Sequence, residues 1–212
     1  MPDHTFDVLL KVINEPNTKV FIITGRAHKD IDRLISNVPI DIIAEHGAMI
    51  KEKGLWRNQM FEDGIWKKAI IPILNQLTGK CPGSFIEEKF FSVAWHYRNA
   101  EDDLGYSCSR ELIGLLEQLA YTYNLKILDG KKVVEALSAE TGKGRAVKKL
   151  FDQNDFDFVL SIGDDATDEE MFEFLLHYSS AFTFKVGEGA TNARYKFNSI
   201  NDVVMLLKHL FG

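Results

Sequence analysis

The amino-acid sequence predicts an α/β protein: a doubly wound, mostly parallel sheet interrupted by an inserted α+β module. Short continuous runs of β-branched residues (Lys19–Thr24, Ile40–Ala44, Phe158–Ile162) alternate with amphipathic helical patterns. Strands without polar alternation are those buried on both faces, as in parallel sheets. The middle third changes to an aromatic-rich strand and a hairpin signal, which suit an antiparallel module. The first and last thirds share the strand-then-helix pattern and read as two parts of one layered core.

Thr5–Ile13 carries Phe6, Leu9, Leu10 and Ile13 at helical spacing and stops at Asn14-Glu15-Pro16-Asn17. The strand Lys19–Thr24 meets Gly25 at once, and Ile31, Leu34 and Ile35 mark the helix that follows. Ile40–Ala44 is a second strand leading into Glu45-His46-Gly47-Ala48. Within the module, Ile65–Leu77 is an apolar-rich helix and Phe90–Tyr97 an aromatic strand. Ser109–Tyr123 is a helix with Leu112, Leu115, Leu116 and Leu119 on one face. Leu125–Leu128 and Lys132–Ala136 form a hairpin about Asp129-Gly130. The last third reads as helix Gly144–Phe151, strand Phe158–Ile162, helix Asp168–Leu176, strand Ala181–Val186 and helix Asn201–Leu210. The core is therefore expected at 1–54 and 139–212, with the insert at 55–138.

Composition narrows the function classes. Apolar residues make up 45% and charged residues 26% of the 212 residues, as in globular proteins. A net charge of −6 argues against the basic face that nucleic acid requires. It leaves an anionic small substrate open, because local charge decides that. No apolar run reaches the roughly 18 residues of a membrane helix. The first residues lack the basic-then-apolar pattern of a signal peptide, so the expected location is the cytoplasm. Cys81 and Cys108 show no CxxC spacing and no partnering histidine, and read as two free thiols.

The sharpest feature is Ser161-Ile-Gly163-Asp164-Asp165-Ala-Thr167-Asp168-Glu169, which follows a buried strand and opens a helix. Ligands of open α/β sheets bind at the carboxyl ends of strands. Four acids within six residues repel one another until a hard cation such as Mg2+ takes their oxygens. Acids also suit a helix's first turn, so Thr167 or Asp168 can be the cap and Glu169 a plain first-turn acid, while the strand and Gly163 favour metal at Asp164. Thr24-Gly25-Arg26 has the same strand-to-helix setting: a hydroxyl and backbone amides there can hold phosphate, or Thr24 can cap the helix with Arg26 on the surface. Lys143, between Gly142 and Gly144, can meet a phosphate as a point charge or be an ordinary loop lysine. Its surroundings are not a P-loop. In the module, alternation puts Trp95 and Tyr97 on one face and His96 and Arg98 on the other. That face could hydrogen-bond a sugar or simply be solvated, and Glu135 is equally open.

Taken in order, these pieces resemble the trehalose-6-phosphate phosphatase branch of the haloacid dehalogenase-type phosphatases. Thr24-Gly25-Arg26, the insert, the helix-opening Lys143 and Gly163-Asp164-Asp165-x-Thr167-Asp168 are similar to that superfamily's second, third and fourth motifs with a cap between. Ala44-Glu45-His46-Gly47, Glu87-x-Lys89, His96-Tyr97-Arg98, Val134-Glu135 and Gly142-Lys143-Gly144 resemble the trehalose branch over nearly the whole chain. The resemblance implies a Rossmann-like core with an α/β cap that encloses the site. It also implies a Mg2+-dependent phosphomonoesterase turning trehalose 6-phosphate into trehalose through an aspartyl-phosphate. By the same resemblance Thr24 holds phosphoryl oxygens, Lys143 neutralises charge, and Asp164 binds Mg2+ with Asp168 as a further ligand or an orienter. Glu87, Lys89, Arg98 and Glu135 would grip the disaccharide, His46 and Gly47 would shape the core side of the pocket, and Arg26 would be a further substrate contact.

The family's first motif, Asp-x-Asp-Gly-Thr, supplies the nucleophile and the general acid/base, and it occurs nowhere in the 212 residues. The expectation is a nucleophile upstream of this chain, in a longer protein such as a fusion to trehalose-6-phosphate synthase, and no turnover by the chain alone. The alternatives are a non-catalytic sugar-phosphate-binding or regulatory module, a phosphatase for another phosphorylated sugar, or a module docking to a glycosyltransferase.

Overall fold

The computed structural model describes residues 3–35, 38–61 and 64–211. They divide into two compact units, Met1–Gln59 with Gly142–Gly212, and Met60–Thr141. The chain opens with α1 (Asp3–Ile13), β1 (Phe21–Ile23), α2 (His28–Leu34), β2 (Asp41–Ala44), β3 (Met49–Glu52) and β4 (Leu55–Asn58). The second unit holds α3 (Ile65–Lys80), β5 (Phe85–Glu88), β6 (Ser92–His96), α4 (Asp102–Tyr123), β7 (Leu125–Gly130) and β8 (Val133–Ser138). The first unit resumes with α5 (Lys143–Gln153), β9 (Val159–Gly163), α6 (Glu169–Leu175), β10 (Ala181–Val186), β11 (Tyr195–Phe197) and α7 (Ile200–Phe211).

In the first unit β1 pairs parallel with β2, Ile22 opposite Ile42, and β2 continues antiparallel into β3 and β4. β9, β10 and β11 form a second, all-parallel sheet, with Phe184 opposite both Ile162 and Tyr195. One helix serves both sheets. Helical spacing lets α5 set Ala146 and Leu150 against Ile43 and Ile50, and Val147 against Met171, Leu175 and Ala181. Ile23 of β1 packs against both clusters. Among the described residues, β1 and β9 each have a strand neighbour on one side only.

The β3–β4 hairpin has no counterpart in the sequence reading. It forms because Lys53 and Gly54 both take positive φ, 50° and 82°, a two-residue turn whose twist matches the flanking strands. Lys-Gly advertises that turn less clearly than Asn-Gly. Pairing with β3 keeps Leu55–Asn58 in the first unit, so the second begins at Met60 where 55 was expected.

The second unit is an antiparallel sheet in the order β5-β6-β8-β7. Val93, Trp95, Val134 and Ala136 point one way and pack on Trp66, Ile70, Leu74 and Leu77 of α3 and Leu112 and Leu116 of α4. Trp95 is fully buried and stacks on Tyr97 with ring centroids 5.3 Å apart. Each large apolar side chain buried this way contributes about 1.5–3 kcal/mol. α4 starts at Asp102 where Ser109 was expected, because the Glu101 carboxylate caps it, accepting from the Asp103 and Leu104 amides at 3.1 and 2.7 Å. β6 starts at Ser92 because Lys67 pins the preceding turn, donating to the Lys89 and Phe90 carbonyls at 2.5 and 2.6 Å. No helix among the described residues is long and apolar enough to cross a membrane.

Candidate active site

β9 ends at Gly163, and the chain turns through Asp164–Asp168 into α6. Asp165 caps the short 3-10 turn Ala166–Asp168: its Oδ1 accepts from the Thr167 amide at 2.8 Å, the Thr167 hydroxyl at 2.6 Å and the Asp168 amide at 3.1 Å. Asp168 answers with Oδ2, which accepts from the amides of Asp164 and Asp165 at 2.8 and 2.9 Å. Gly163 is required, since a Cβ there would overlap the Asp168 carboxylate. Asp164 is exposed, and no bond or ion pair engages its carboxylate among the described residues.

Lys143, the first residue of α5, is 4% exposed. Its Nζ donates to Asp168 Oδ1 at 2.7 Å and reaches both Asp165 oxygens at 3.2 and 3.3 Å. Burial alone would raise the Asp165 carboxyl; the Thr167 hydrogen bonds and the Lys143 charge outweigh it and hold that carboxyl below the usual range. A second buried ammonium braces the same turn. Lys185 of β10, 6% exposed, donates to the Asp164 carbonyl at 2.7 Å and the Asp165 carbonyl at 3.3 Å, and lies 3.7 Å from Glu169.

Thr24 follows directly on β1. Its amide donates to the Ile43 carbonyl at 2.8 Å, and its hydroxyl oxygen accepts from the Arg26 amide at 3.2 Å. The N-cap of α2 is Ala27, so Thr24 closes a local turn rather than capping the helix. The His46 amide donates to the Thr24 carbonyl at 3.1 Å, and the Gly142 amide donates to the His46 carbonyl at 2.6 Å. One residue thereby joins Thr24 to the start of the Lys143 helix. The His46 ring is buried against Gly25, where a Cβ would overlap the imidazole. Arg26 is exposed, and its carbonyl accepts from the Glu45 amide at 3.1 Å.

In the second unit, register puts Glu87 opposite Ala94 and Ala94 opposite Glu135, on the sheet face away from the α3–α4 core. Glu135 Oε1 accepts from Lys89 Nζ at 2.8 Å and from the Ser92 hydroxyl at 2.6 Å. His96 Nε2 lies 2.7 Å from Glu87 Oε2. Alternation holds for Trp95 and His96, but β6 ends at His96, so Arg98 sits in an exposed turn and is not joined to these groups.

Of the two carboxylates expected to bind metal, Asp164 can accept a cation. Asp168 has one oxygen on Lys143 and the other on two amides. No group of three or more His, Cys, Asp or Glu side chains able to hold a metal occurs among the described residues. The turn therefore fits one edge of a Mg2+ shell, which needs further oxygens. Lys185 went unnoticed in the sequence, although β10 carried its signal: Ala181, Thr183 and Lys185 alternate onto the buried side, and a lysine there must be paired.

A family model described as trehalose-phosphatase matches residues 1–201. The bifunctional trehalose-6-phosphate synthase/phosphatase of Thermoproteus tenax is 37% identical over 205 residues, covering 96% of this chain and 28% of that protein. The alpha,alpha-trehalose-phosphate synthase (UDP-forming) B of Dictyostelium discoideum is 36% identical over 210 residues, 96% of this chain and 26% of that protein. The chain thus spans about a quarter of the length of these curated relatives. The solved C-terminal domain of the C. albicans trehalose-6-phosphate phosphatase is similar with a TM-score of 0.90 at 28% identity, covering 99% of this chain and 83% of that one. On the strength of the family match, which takes in both parts of the core and the insert, the chain belongs to the trehalose-phosphatase family.

Proposed function

We propose that this chain is the phosphate-handling part of a Mg2+-dependent trehalose-6-phosphate phosphatase, with the nucleophilic aspartate delivered by a segment outside these 212 residues. The observation that supports this most is one hydrogen-bond path, from Thr24 through His46 and Gly142 to Lys143, and on through Asp168 to Asp164. Phosphate monoesters are very inert in water, so their hydrolysis must be won by positioning and charge neutralisation. The Thr24 hydroxyl oxygen already accepts from the Arg26 amide, which leaves its proton to donate to a phosphoryl oxygen. Lys143 carries three N–H donors; one is held by Asp168 at 2.7 Å, and a phosphoryl oxygen would replace one of the two long contacts to Asp165 at 3.2 and 3.3 Å. Mg2+ at Asp164 would add positive charge opposite the transferring phosphoryl oxygens. Asp168 and Lys185 hold the turn that aims Asp164.

The open sides of β1 and β9 favour delivery of the nucleophile by a further strand. Thr24 and Asp164 follow directly on the carboxyl ends of β1 and β9. A parallel strand beside either edge would bring its own last residue to the same rim. Glu87, Lys89, Glu135 and Arg98 are the groups assigned to the sugar hydroxyls, Arg26 is assigned to the anionic end, and His46 with Gly47 support the loop beneath it. The partner assigned is a trehalose-6-phosphate synthase, fused or associated, as the printed name of the Thermoproteus tenax relative combines both activities. Calorimetric titration of trehalose 6-phosphate into the 212-residue chain with Mg2+ tests the reading. Binding without phosphate release is expected, and the absence of any binding heat would overturn it.

A further inference from the structure

We propose that His46 is a positioning residue whose left-handed backbone sets the spacing between Thr24 and Lys143; the inference rests on the phosphate site proposed above. Glu45 and His46 take φ of 49° and 56°, a region that strains most side chains, although histidine and asparagine enter it more readily than alanine. Contacts remote in sequence hold the strain. The Glu45 amide donates to the Arg26 carbonyl at 3.1 Å, and the buried Glu45 carboxylate lies 2.8 Å from His28 Nδ1. His46 then spends its own amide on the Thr24 carbonyl and its own carbonyl on the Gly142 amide. These two groups face opposite partners only because the backbone between them is left-handed. In a right-handed or extended conformation their directions diverge differently, and one of the two loops must move. Gly47 continues the turn at φ 100°. The imidazole is buried against Gly25, so His46 acts on the site through its backbone rather than by touching the phosphate.

The test is a titration of inorganic phosphate into the 212-residue chain, followed by calorimetry, for the parent, His46→Ala and His46→Asn, with circular dichroism and thermal unfolding of each. Both substitutions remove the imidazole, but only asparagine accepts the left-handed backbone readily. His46→Ala is expected to weaken phosphate binding by roughly tenfold. His46→Asn is expected to stay within about threefold of the parent. Equal weakening by both would transfer the effect to the ring and overturn the spacer role, as would no weakening by either. If His46→Ala does not fold, Glu45→Gln takes its place, since it loosens the His28 contact while keeping the side chain's size. Several-fold weaker phosphate binding by a folded Glu45→Gln supports the spacer, and unchanged affinity overturns it. A parent chain that takes up no phosphate would overturn the phosphate site itself, and the spacer with it.

Discussion

Replacing Lys143 by methionine removes an ammonium from the acidic turn while keeping an unbranched side chain. Asp168, itself buried, would lose its 2.7 Å partner and keep only the two backbone amides on its other oxygen. Removing one member of a buried ion pair costs about 3–5 kcal/mol, because the remaining charge is left uncompensated. The amides continue to hold the Asp168 carboxylate, which puts the expected loss near the lower end, about 3 kcal/mol. Asp165 adds little, since its carboxylate is open to solvent and lies 3.2 Å away, and such solvent-screened pairs are worth about 0–1 kcal/mol. With a urea m-value of about 2–3 kcal/mol/M, the unfolding midpoint should fall by about 1–1.5 M. Asp168→Asn in the same chain removes the stranded charge, so the double variant should be more stable than Lys143→Met alone. The two substitutions should couple by about 2 kcal/mol. Urea unfolding followed by far-ultraviolet circular dichroism measures all four proteins of the cycle. A Lys143→Met loss under about 0.5 kcal/mol, or strictly additive effects, would refute the reasoning.

Three further outcomes are expected. Gly25→Ala sets a Cβ into the His46 imidazole and should cost about 1–3 kcal/mol in urea unfolding; adding His46→Asn should return most of that loss. Asp32 receives Lys51 Nζ at 2.5 Å and Trp56 Nε1 at 2.8 Å; burial alone would raise its carboxyl, but these bonds hold it below the usual range. A carboxyl depressed on folding stabilises above its unfolded value, about 3.9, and loses that contribution as pH falls through the folded value. Thermal unfolding below about pH 4 should therefore fall more steeply for the parent than for Asp32→Asn, and parallel acid limbs would contradict this. Cys81 and Cys108 are both buried, and burial pushes the Cys108 thiol up, so a thiol reagent at pH 8 should label them only after unfolding. Labelling of the native chain would contradict it.

The parallel core was legible because β1, β2 and β9 are short, continuous and apolar, and β1 and β9 each lead into a helix. The β3–β4 hairpin was not, because its turn is Lys53-Gly54 and its strands mix lysine, glutamate and arginine with Ile50 and Trp56. β11 is three residues long, too short for a periodicity to emerge. Thr24, Lys143 and Asp164 could be singled out because each lies where a buried strand ends or a helix begins. Asp168 was singled out too, as a ligand or an orienter, but its partner Lys143 lies one helix away, and Lys185 was missed because its partner, the carbonyl of Asp164, is fixed only by the fold. Left-handed Glu45 and His46 run against local preference and are held by partners remote in sequence, among them Arg26, Thr24, His28 and Gly142. Alternation held as far as Tyr97, which packs with Trp95, while the strand itself ends at His96 and Arg98 lies in the exposed turn that follows.

Phosphate release from trehalose 6-phosphate in Mg2+ is the most direct measurement, made on the 212-residue chain and on the same chain joined to an upstream segment bearing Asp-x-Asp-Gly-Thr. No release is expected from the first. Mg2+-dependent turnover is expected from the second, and Lys143→Met should abolish it. Hydrolysis by the 212-residue chain alone, or an extended chain that frees phosphate from no sugar phosphate, would contradict the assignment.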